Sequence, residues 1–120
     1  MVHQFPNMMM LMGPHTALGN IPRSIEYSVD WVTGLVTFAR EHKLTRLEAT
    51  PEGVASWTDH VKALGVGLLS NEVDSWMTGI NRNVEGKTTR IVARYSGSAP
   101  AYRARCDEVA AKGYSELRQA

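Results

Sequence analysis

The sequence predicts a mainly helical α+β fold that contains one buried N-terminal strand, an αα-hairpin, a long loop, a short strand and a C-terminal helix. Three observations support this prediction: a continuous apolar run at Met8–Met12, two stretches with helical spacing of apolar residues, and an aperiodic segment from Ser70 to Thr89. A continuous apolar strand normally lies inside a parallel sheet, covered on both faces. Because the chain offers this strand no obvious partner, we predict a sheet whose other strands are missing.

Composition limits the possible classes of function. The 120 residues suffice for one domain, and a net charge of +1 gives no electrostatic reason to bind nucleic acid or an anionic membrane. The longest apolar run, Met8–Met12, is too short to span a bilayer and does not resemble a signal peptide. Cys106 is the only cysteine, so no internal disulfide is possible, and we expect a reducing, cytoplasmic location.

The N-terminal segment combines a strand pattern with a helix start. The apolar run stops at Gly13-Pro14, and a loop containing Gly19 leads to Asn20, a good N-cap residue. A strand that delivers a loop to a helix N-terminus is where α/β proteins place nucleotide cofactors. The four methionines of the run also suit an adaptable binding surface, but the run pattern favours a buried core.

The first helix is predicted from about Ile21 to His42. Pro22 falls in its first turn, where the missing N–H costs nothing. Apolar residues recur at spacings of four and three at Ile25, Val29, Val32, Val36 and Ala39. Further large apolar residues widen this stripe at Trp31, Leu35 and Phe38. We therefore expect the helix to be covered on more than one side.

A second helix is predicted to begin at Thr50-Pro51-Glu52, which combines an N-cap, a first-turn proline and a first-turn acid. Its apolar stripe consists of Val54, Trp57, Val61, Leu64 and Leu68. We expect an αα-hairpin in which Lys43–Ala49 joins the two helices. Gly65-x-Gly67 resembles half of a dinucleotide fingerprint, but no strand precedes it and Ser70 replaces the third glycine, so we reject that interpretation.

The aperiodic segment between Ser70 and Thr89 is predicted to be a long loop. Loops of this length in small domains are uncommon and often form lids or binding sites. Trp76 lies in the loop, where its indole suits contact with a ligand. The alternative, that Trp76 pins the loop to the body of the domain, is equally compatible with the sequence.

The C-terminal part predicts a short strand at Arg90–Tyr95 and a third helix capped by Ser98 and ended by Gly113. The predicted inward face of this helix consists of Tyr102, Cys106 and Val109. We interpret Cys106 as a small buried thiol rather than a reactive one. A last short strand is predicted at Tyr114–Leu117.

No catalytic or metal-binding constellation emerges from residue types and spacing. The four histidines are scattered and do not pair with another His, Cys or acid at ligand spacing. The acidic residues fall on predicted helix faces or turns and are most simply solvated. Physical reasoning alone therefore stops at a helix-rich domain with a strand-to-helix ligand corner and a mobile loop.

The chain resembles the Baeyer–Villiger monooxygenases in the order of several short sequence motifs, from Phe5 to Leu117, which is essentially its whole length. These motifs are Phe5-Pro6-Asn7-Met8, Gly13-Pro14, Gly19-Asn20-Ile21-Pro22-x-Ser24-Ile25-Glu26, Trp31, Thr50-Pro51-Glu52, Trp57, Asp74-Ser75-Trp76, Gly79, Gly86-Lys87, Tyr102-Arg103 and Asp107-Glu108-Val109-Ala110-Ala111-x-Gly113-Tyr114. The loop form Asn81-x-Asn83-Val84-x-Gly86-Lys87 is similar to the large-ketone and steroid-type members, because cyclohexanone-type members have a shorter loop there.

The resemblance implies an incomplete part of an enzyme fold with two dinucleotide-binding domains. Members use FAD and NADPH to insert one oxygen atom of O₂ next to a ketone carbonyl, which gives an ester or lactone. The chain would be the C-terminal portion, without the N-terminal nucleotide-binding domains. Its parts would be the last strand and flavin-facing loop of the FAD-binding domain (1–21), a helical hairpin (22–70), a mobile control loop (71–89), and a short strand with the C-terminal helix (90–120).

The resemblance also implies roles for individual residues. Asn20 and Ile21 would lie against the flavin, and Trp76 would reach bound NADP⁺. The substrate-contacting positions would be Leu18, Gly19 and Ile21. No position matches the family's catalytic arginine or its GxGxxG motifs, so no catalytic residue is assigned. We expect that this chain alone neither binds FAD tightly nor oxidises a substrate.

A different class of function remains open at this stage. The chain could be a small non-catalytic module that docks a separately encoded nucleotide-binding subunit. The unpaired N-terminal strand would then supply the docking edge.

Overall fold

A computed structural model describes residues 1–16 and 19–120. Within these residues the elements are, in order, α1 (Ile21–Glu41), β1 (Leu47–Ala49), α2 (Pro51–Leu64), α3 (Leu69–Glu72), a 3₁₀ turn (Trp76–Thr78), α4 (Ala99–Ala111) and β2 (Leu117–Gln119). The two strands form one antiparallel sheet. The predicted mainly helical mixed fold is therefore confirmed at this level.

The three long helices begin where the capping residues predict. Asn20 accepts a hydrogen bond from the Arg23 N–H at 3.1 Å, and Thr50 accepts one from Gly53 at 3.0 Å. Ser98 caps α4 in the same way, and Gly113 follows its end with a φ of 64°. Local capping chemistry satisfies the free N–H groups of a first helical turn, so these starts are readable from sequence. Leu68, predicted in the second helix, lies beyond its end at Leu64.

The predicted N-terminal strand at Met8–Met12 is wrong. The segment is irregular, and Met8, Met10, Leu11 and Met12 are each 36–44% exposed. Met9 is the member of the run that packs against the core. A strand needs a neighbour to pair its backbone groups, and an apolar run does not reveal whether one is present.

The N-terminal segment is instead fastened by the side chain of Asn7. The Asn7 N–H donates to the Leu47 carbonyl at 2.8 Å, and the Leu47 N–H donates to Asn7 Oδ1 at 2.9 Å. Asn7 Nδ2 also donates to the carbonyl of Thr45 at 3.0 Å. These bonds place the chain at the edge of β1 without a strand ladder.

The connection between α1 and α2 also differs from the predicted αα-hairpin. The Lys43–Ala49 linker contains the buried strand β1, which pairs with β2 in the register Leu47↔Gln119, Glu48↔Arg118 and Ala49↔Leu117. The helix that packs most closely against α1 is α4. The linker therefore pairs with a segment near the C-terminus. Because the paired residues are about 70 positions apart, local sequence signals do not indicate this pairing.

The other two predicted strands are shifted or absent. Residues Arg90–Tyr95 form no named strand among the described residues, and this segment is held by single bonds such as His15 N–H to the Ala93 carbonyl at 2.7 Å. The last strand covers Leu117–Gln119 rather than Tyr114–Leu117, because Tyr114 follows Gly113 in the turn that ends α4.

Two apolar clusters hold the elements together. In the first, Leu35, Leu47 and Tyr114 are buried, and Trp31 and Phe38 pack around them. In the second, Val61 and Tyr95 are buried and are covered by these partly buried side chains: Trp57, Leu64, Val92 and Tyr102. The predicted inward face of α4 is confirmed for Tyr102 and Val109, which contribute to different clusters.

One face of α1 remains uncovered. Its exposed apolar residues, which we call the α1 stripe, are Ile21, Ile25, Val29 and Val36, each 37–51% exposed. The buried side of the helix is instead formed by Trp31, Leu35 and Phe38. The residues that the structure describes thus cover α1 on one side, in contrast to the expectation of cover on more than one side.

Glu48 is a buried acid that anchors the N-terminal turn. Its side chain accepts hydrogen bonds from Arg46 Nη2 at 2.8 Å and from the Gln4 N–H at 2.9 Å. These bonds, with Arg46 making the largest contribution, lower the pKa of Glu48. A carboxyl group whose folded pKa is depressed stabilises the fold above its unfolded pKa and loses this contribution as pH falls through the folded pKa.

Glu48→Gln should therefore lower the free energy of unfolding at neutral pH. It should also make this free energy depend less on pH in the acidic range. We expect the difference in free energy of unfolding between wild type and variant to shrink as pH falls below about 4.3, the usual glutamate pKa. Urea unfolding followed by circular dichroism at several pH values measures this. Glu85→Gln, at an exposed loop position, is the control. A constant difference across the pH range would contradict the assignment.

Candidate functional site

The N-terminus of α1 forms an open corner. Gly19 has a φ of 133°, and among the described residues no heavy atom outside its immediate chain neighbours lies within 4 Å of the place that a Cβ would occupy. The next residue, Asn20, is exposed, and Ile21 is 51% exposed. Leu18, the remaining predicted contact residue, lies outside the described residues. The corner therefore offers backbone and side-chain surface to a molecule outside this chain.

The charge at this corner favours an electron-rich ligand. The first turn of α1 contains no acidic residue and does contain Arg23. The Asn20 side chain occupies one free N–H of that turn, and the helix dipole leaves partial positive charge on the others. In this respect α1 differs from α2, whose first turn contains the acidic residue Glu52.

His15 fixes the segment that leads into the corner. Its N–H donates to the Ala93 carbonyl at 2.7 Å, and its Nε2 donates to the Val92 carbonyl at 2.9 Å. The residue has a φ of 65°, a left-handed conformation that these two bonds support. Sequence reasoning treated His15 as one of four scattered histidines, because carbonyl partners 77 residues away carry no sequence signal.

Trp76 lies in the 3₁₀ turn of the long loop, and its side chain is 85% exposed. This exposure decides against the interpretation that Trp76 pins the loop to the body of the domain. The indole is instead available to another molecule. Among the described residues, no hydrogen bond or aromatic contact joins Trp76 to Asn20 or Ile21.

The turn that presents Trp76 is held by Thr78, which sequence reasoning missed. Thr78 is 1% exposed, and its Oγ1 lies 3.0 Å from the carbonyl oxygens of Val73 and Ser75. The Ser75 N–H donates to the same Oγ1 at 3.0 Å. The Ile91 N–H in turn donates to the Thr78 carbonyl at 2.9 Å. The loop is thus organised around a buried threonine and leaves the tryptophan outside.

A cavity of about 330 Å³ lies behind the corner, between α1, α2 and α4. Its aromatic wall consists of Tyr27, Trp31, Trp57 and Tyr102. Two polar groups of this wall have protein partners: the Tyr27 hydroxyl donates to Asp107 Oδ1 at 2.7 Å, and Trp31 Nε1 donates to the Cys106 carbonyl at 2.9 Å. The cavity therefore presents mostly apolar surface.

Burial determines the protonation of the cavity wall. It raises the pKa of Tyr27 and of Tyr102 well above the usual tyrosine value, so both remain neutral phenols. Burial also raises the pKa of the Cys106 thiol to about 11. At neutral pH this cysteine is a thiol rather than a nucleophilic thiolate, in agreement with its interpretation as a small buried residue.

Residues 1–16 and 19–120 contain neither a metal-ligand cluster nor a membrane-spanning helix. No group of three or more His, Cys, Asp or Glu side chains there is arranged to hold a metal ion. No helix in the same residues combines the length and apolar character that crossing a bilayer requires.

Comparison with known proteins points to a single group of enzymes, although the sequence matches no protein-family model. The chain is 36% identical over 110 residues to phenazine N-monooxygenase of Lysobacter antibioticus and 31% identical over 102 residues to cyclohexanone 1,2-monooxygenase of an Acinetobacter species. These matches cover 92% and 85% of this chain but 20% and 18% of the relatives. The chain therefore spans about a fifth of their length.

The structure agrees with this relationship. Cyclohexanone monooxygenase from Rhodococcus sp. Phi1, solved with NADP⁺, superimposes with a TM-score of 0.87 at 31% sequence identity. The match covers 98% of this chain and 22% of that enzyme. The folded shape described above is thus a portion of the shape that these larger enzymes adopt.

Proposed function

Because the chain is homologous to one portion of the Baeyer–Villiger flavin monooxygenases, we propose that it is the C-terminal segment of such an enzyme. The complete protein would use FAD and NADPH to insert one oxygen atom of O₂ next to a ketone carbonyl, giving an ester or lactone. Its two dinucleotide-binding domains would lie mostly in polypeptide outside this chain. The Asn81–Lys87 loop form favours a large-ketone or steroid-type substrate.

The proposal divides the chain by role. Residues 1–21 would supply the flavin-facing surface, although as an irregular segment rather than as a strand. Residues 22–70 would form helical support, 71–89 a mobile control loop, and 90–120 the C-terminal helix with its flanking segments. The homology carries the proposal, and the open corner at Gly19–Ile21, which is exposed among the described residues, is the structural feature that supports it.

The corner suits a flavin on chemical grounds. FAD, when bound, supplies the redox-active ring at which O₂ is activated. Asn20 and Ile21 would hold the edge of that ring, where the acid-free first turn of α1 favours negative charge. A side chain at Gly19 would occupy space that is now empty beside the corner. Leu18, Gly19 and Ile21 would border the substrate, as the resemblance implies.

Trp76 is the residue that we assign to NADP(H). Trp76 is 85% exposed and lies in a turn that Thr78 helps to hold, so its indole is free to stack on a flat group. Closure of the loop over the nucleotide would exclude water from the reacting centre. No residue of this chain is assigned a catalytic role.

The isolated chain should neither bind FAD tightly nor oxidise a ketone, because it holds only one side of the proposed cofactor surface. The absorbance spectrum of the purified chain, recorded without and with added FAD, tests this. We expect no stoichiometric yellow complex after removal of free FAD, and such a complex would contradict the proposal of a partial site.

A chimera tests whether this segment supports ketone oxidation within a complete monooxygenase. The matching segment of the Acinetobacter cyclohexanone 1,2-monooxygenase would be replaced by this chain, and NADPH-dependent ketone oxidation would be measured. We expect a flavoprotein that oxidises ketones, in which Trp76→Ala raises the KM for NADPH about tenfold, as loss of about 1.4 kcal/mol of binding predicts.

The matched control in the chimera is Val66→Ala, at a position 81% exposed outside the loop. Its KM for NADPH should stay unchanged. A folded, yellow chimera in which Trp76→Ala and Val66→Ala behave alike would overturn the assignment of Trp76.

The exposed α1 stripe also supports a second candidate function. The chain would then be a non-catalytic module that docks a separately encoded nucleotide-binding subunit through this apolar surface. The N-terminal strand expected to supply the docking edge does not form. The coding sequence upstream of Met1 separates the two. An in-frame GxGxxG motif there supports the enzyme segment, and its absence supports the docking module.

A further inference from the structure

We propose that Asp74 is a positioning residue that orients the Trp76 turn by holding Arg82 and Arg90 at the same time. We call these three residues the Asp74 clamp. The assignment to nucleotide binding rests on the proposed function of Trp76, whereas the clamp itself rests on the contacts below.

The carboxylate of Asp74 joins two arginines that follow the Trp76 turn in sequence. Arg82 Nη2 donates to Asp74 Oδ2 at 2.7 Å, and Arg82 Nε donates to the same oxygen at 3.1 Å. Arg90 Nη2 donates to the other oxygen, Oδ1. Both oxygens are therefore used, and the turn at residues 76–78 is enclosed between Asp74 and Arg82.

Arg90 ties the end of the loop to its start. Its Nη1 donates to the carbonyls of Asn71 and Val73 at 3.0 and 3.1 Å. Lysine, with its single ammonium group, cannot reproduce this fork while also reaching Asp74. Backbone bonds complete the closure, since Asn81 N–H donates to the Lys87 carbonyl at 2.9 Å and Ile91 N–H donates to Thr78.

An isolated ion pair at the surface contributes little to stability. The restraint on the loop therefore comes from the combination of several bonds. The Arg82 side chain is 85% exposed and that of Asp74 33% exposed, which makes either pair alone a weak restraint. Here one carboxylate accepts three hydrogen bonds and one arginine also binds two carbonyls. The hydrogen bonds from Arg82 and then Arg90 lower the pKa of Asp74, so it is a carboxylate at neutral pH.

The consequence concerns the Trp76 side chain. It makes no aromatic contact with the described residues, so its direction depends on the backbone of the turn. A clamp that limits the conformations of this turn lowers the entropy cost of placing the indole on a ligand. Asp74 thus acts through Trp76 rather than on a reacting atom.

The test uses the 120-residue chain and no nucleotide. In Asp74→Asn, the amide hydrogens of Gly79, Ile80 and Ile91 should exchange with solvent about tenfold faster, because local opening of the loop becomes easier. The amides within α2 and α4 should be unchanged. Glu108→Gln, which removes the exposed Glu108–Lys112 ion pair on α4, is the matched control and should leave loop exchange unchanged.

A second readout reports on Trp76 itself. In chain labelled with 5-fluorotryptophan, the fluorine resonance assigned through Trp76→Phe should shift or broaden in Asp74→Asn and in Arg90→Lys. The resonances of Trp31 and Trp57 should not move. If Asp74→Asn unfolds the chain, Arg82→Gln at its exposed position provides the same test.

Unchanged loop exchange and an unchanged Trp76 resonance in a folded Asp74→Asn chain would overturn the clamp. That result would leave the proposed function standing, because the chimera measures NADPH use directly. Conversely, if Trp76→Ala leaves the KM of the chimera for NADPH unchanged, the assignment of Trp76 to the nucleotide fails. The exchange data would still show the clamp in that case.

Discussion

Leu35→Ala is expected to lower the free energy of unfolding by about 2–5 kcal/mol, the usual cost of removing a buried leucine. Leu35 is fully buried and belongs to the cluster that joins α1 to β1 and to the turn after α4. Its neighbour Leu47 belongs to β1 and cannot move into the vacated space without moving the sheet, and its neighbour Tyr114 is held in the turn after α4. For a domain of this size such a loss is a large part of the total stability.

Urea unfolding followed by far-ultraviolet circular dichroism measures this effect. Val36→Ala is the matched control, because Val36 is the next residue on the same helix and is 43% exposed. We expect it to cost less than about 0.5 kcal/mol, as surface substitutions usually do. Equal losses in the two variants would show that the Leu35 cluster is not the centre of the fold.

The second large effect concerns association. Replacing Val29 and Val36 together with lysine should keep the isolated chain monomeric at concentrations where the wild type associates. Both residues belong to the α1 stripe, and contiguous exposed apolar surface promotes contact between molecules. We expect at least about a tenfold weaker self-association, since each lysine removes apolar area and adds like charge.

Sedimentation velocity over a range of concentrations provides the measurement. The single variant Val66→Lys is the control, because Val66 is 81% exposed but lies outside the stripe. It should associate like the wild type. A wild-type chain that is monomeric and melts cooperatively at all concentrations would argue against the stripe as an uncovered interface.

The helices were predictable because their signals are local. Asn20, Thr50 and Ser98 each cap a helix through bonds to residues three positions later, a distance that sequence reasoning covers. The order of the three long helices followed from these starts. The open corner was also predictable in position, because it is the loop immediately before a capped helix.

The strands were not predictable for the opposite reason. β1 and β2 are three residues each, too short for a period of two to stand out, and their pairing joins positions 70 residues apart. Met8–Met12 has the composition of a strand but pairs with no neighbouring strand among the described residues, so the strand predicted from its composition is wrong. The partners of His15 lie in a distant segment, and those of Asp74 lie beyond the Trp76 turn, so both sets of contacts form only when the loops fold back.

The amino-acid order alone determined where three helices begin, which loop precedes the first of them and which family the chain resembles, because each depends on residues adjacent in sequence. Tertiary structure decided which side of α1 is buried, that Trp76 points away from the body, and how the loop behind it is fastened. Those outcomes depend on contacts between distant residues, whose free energies a linear pattern does not contain.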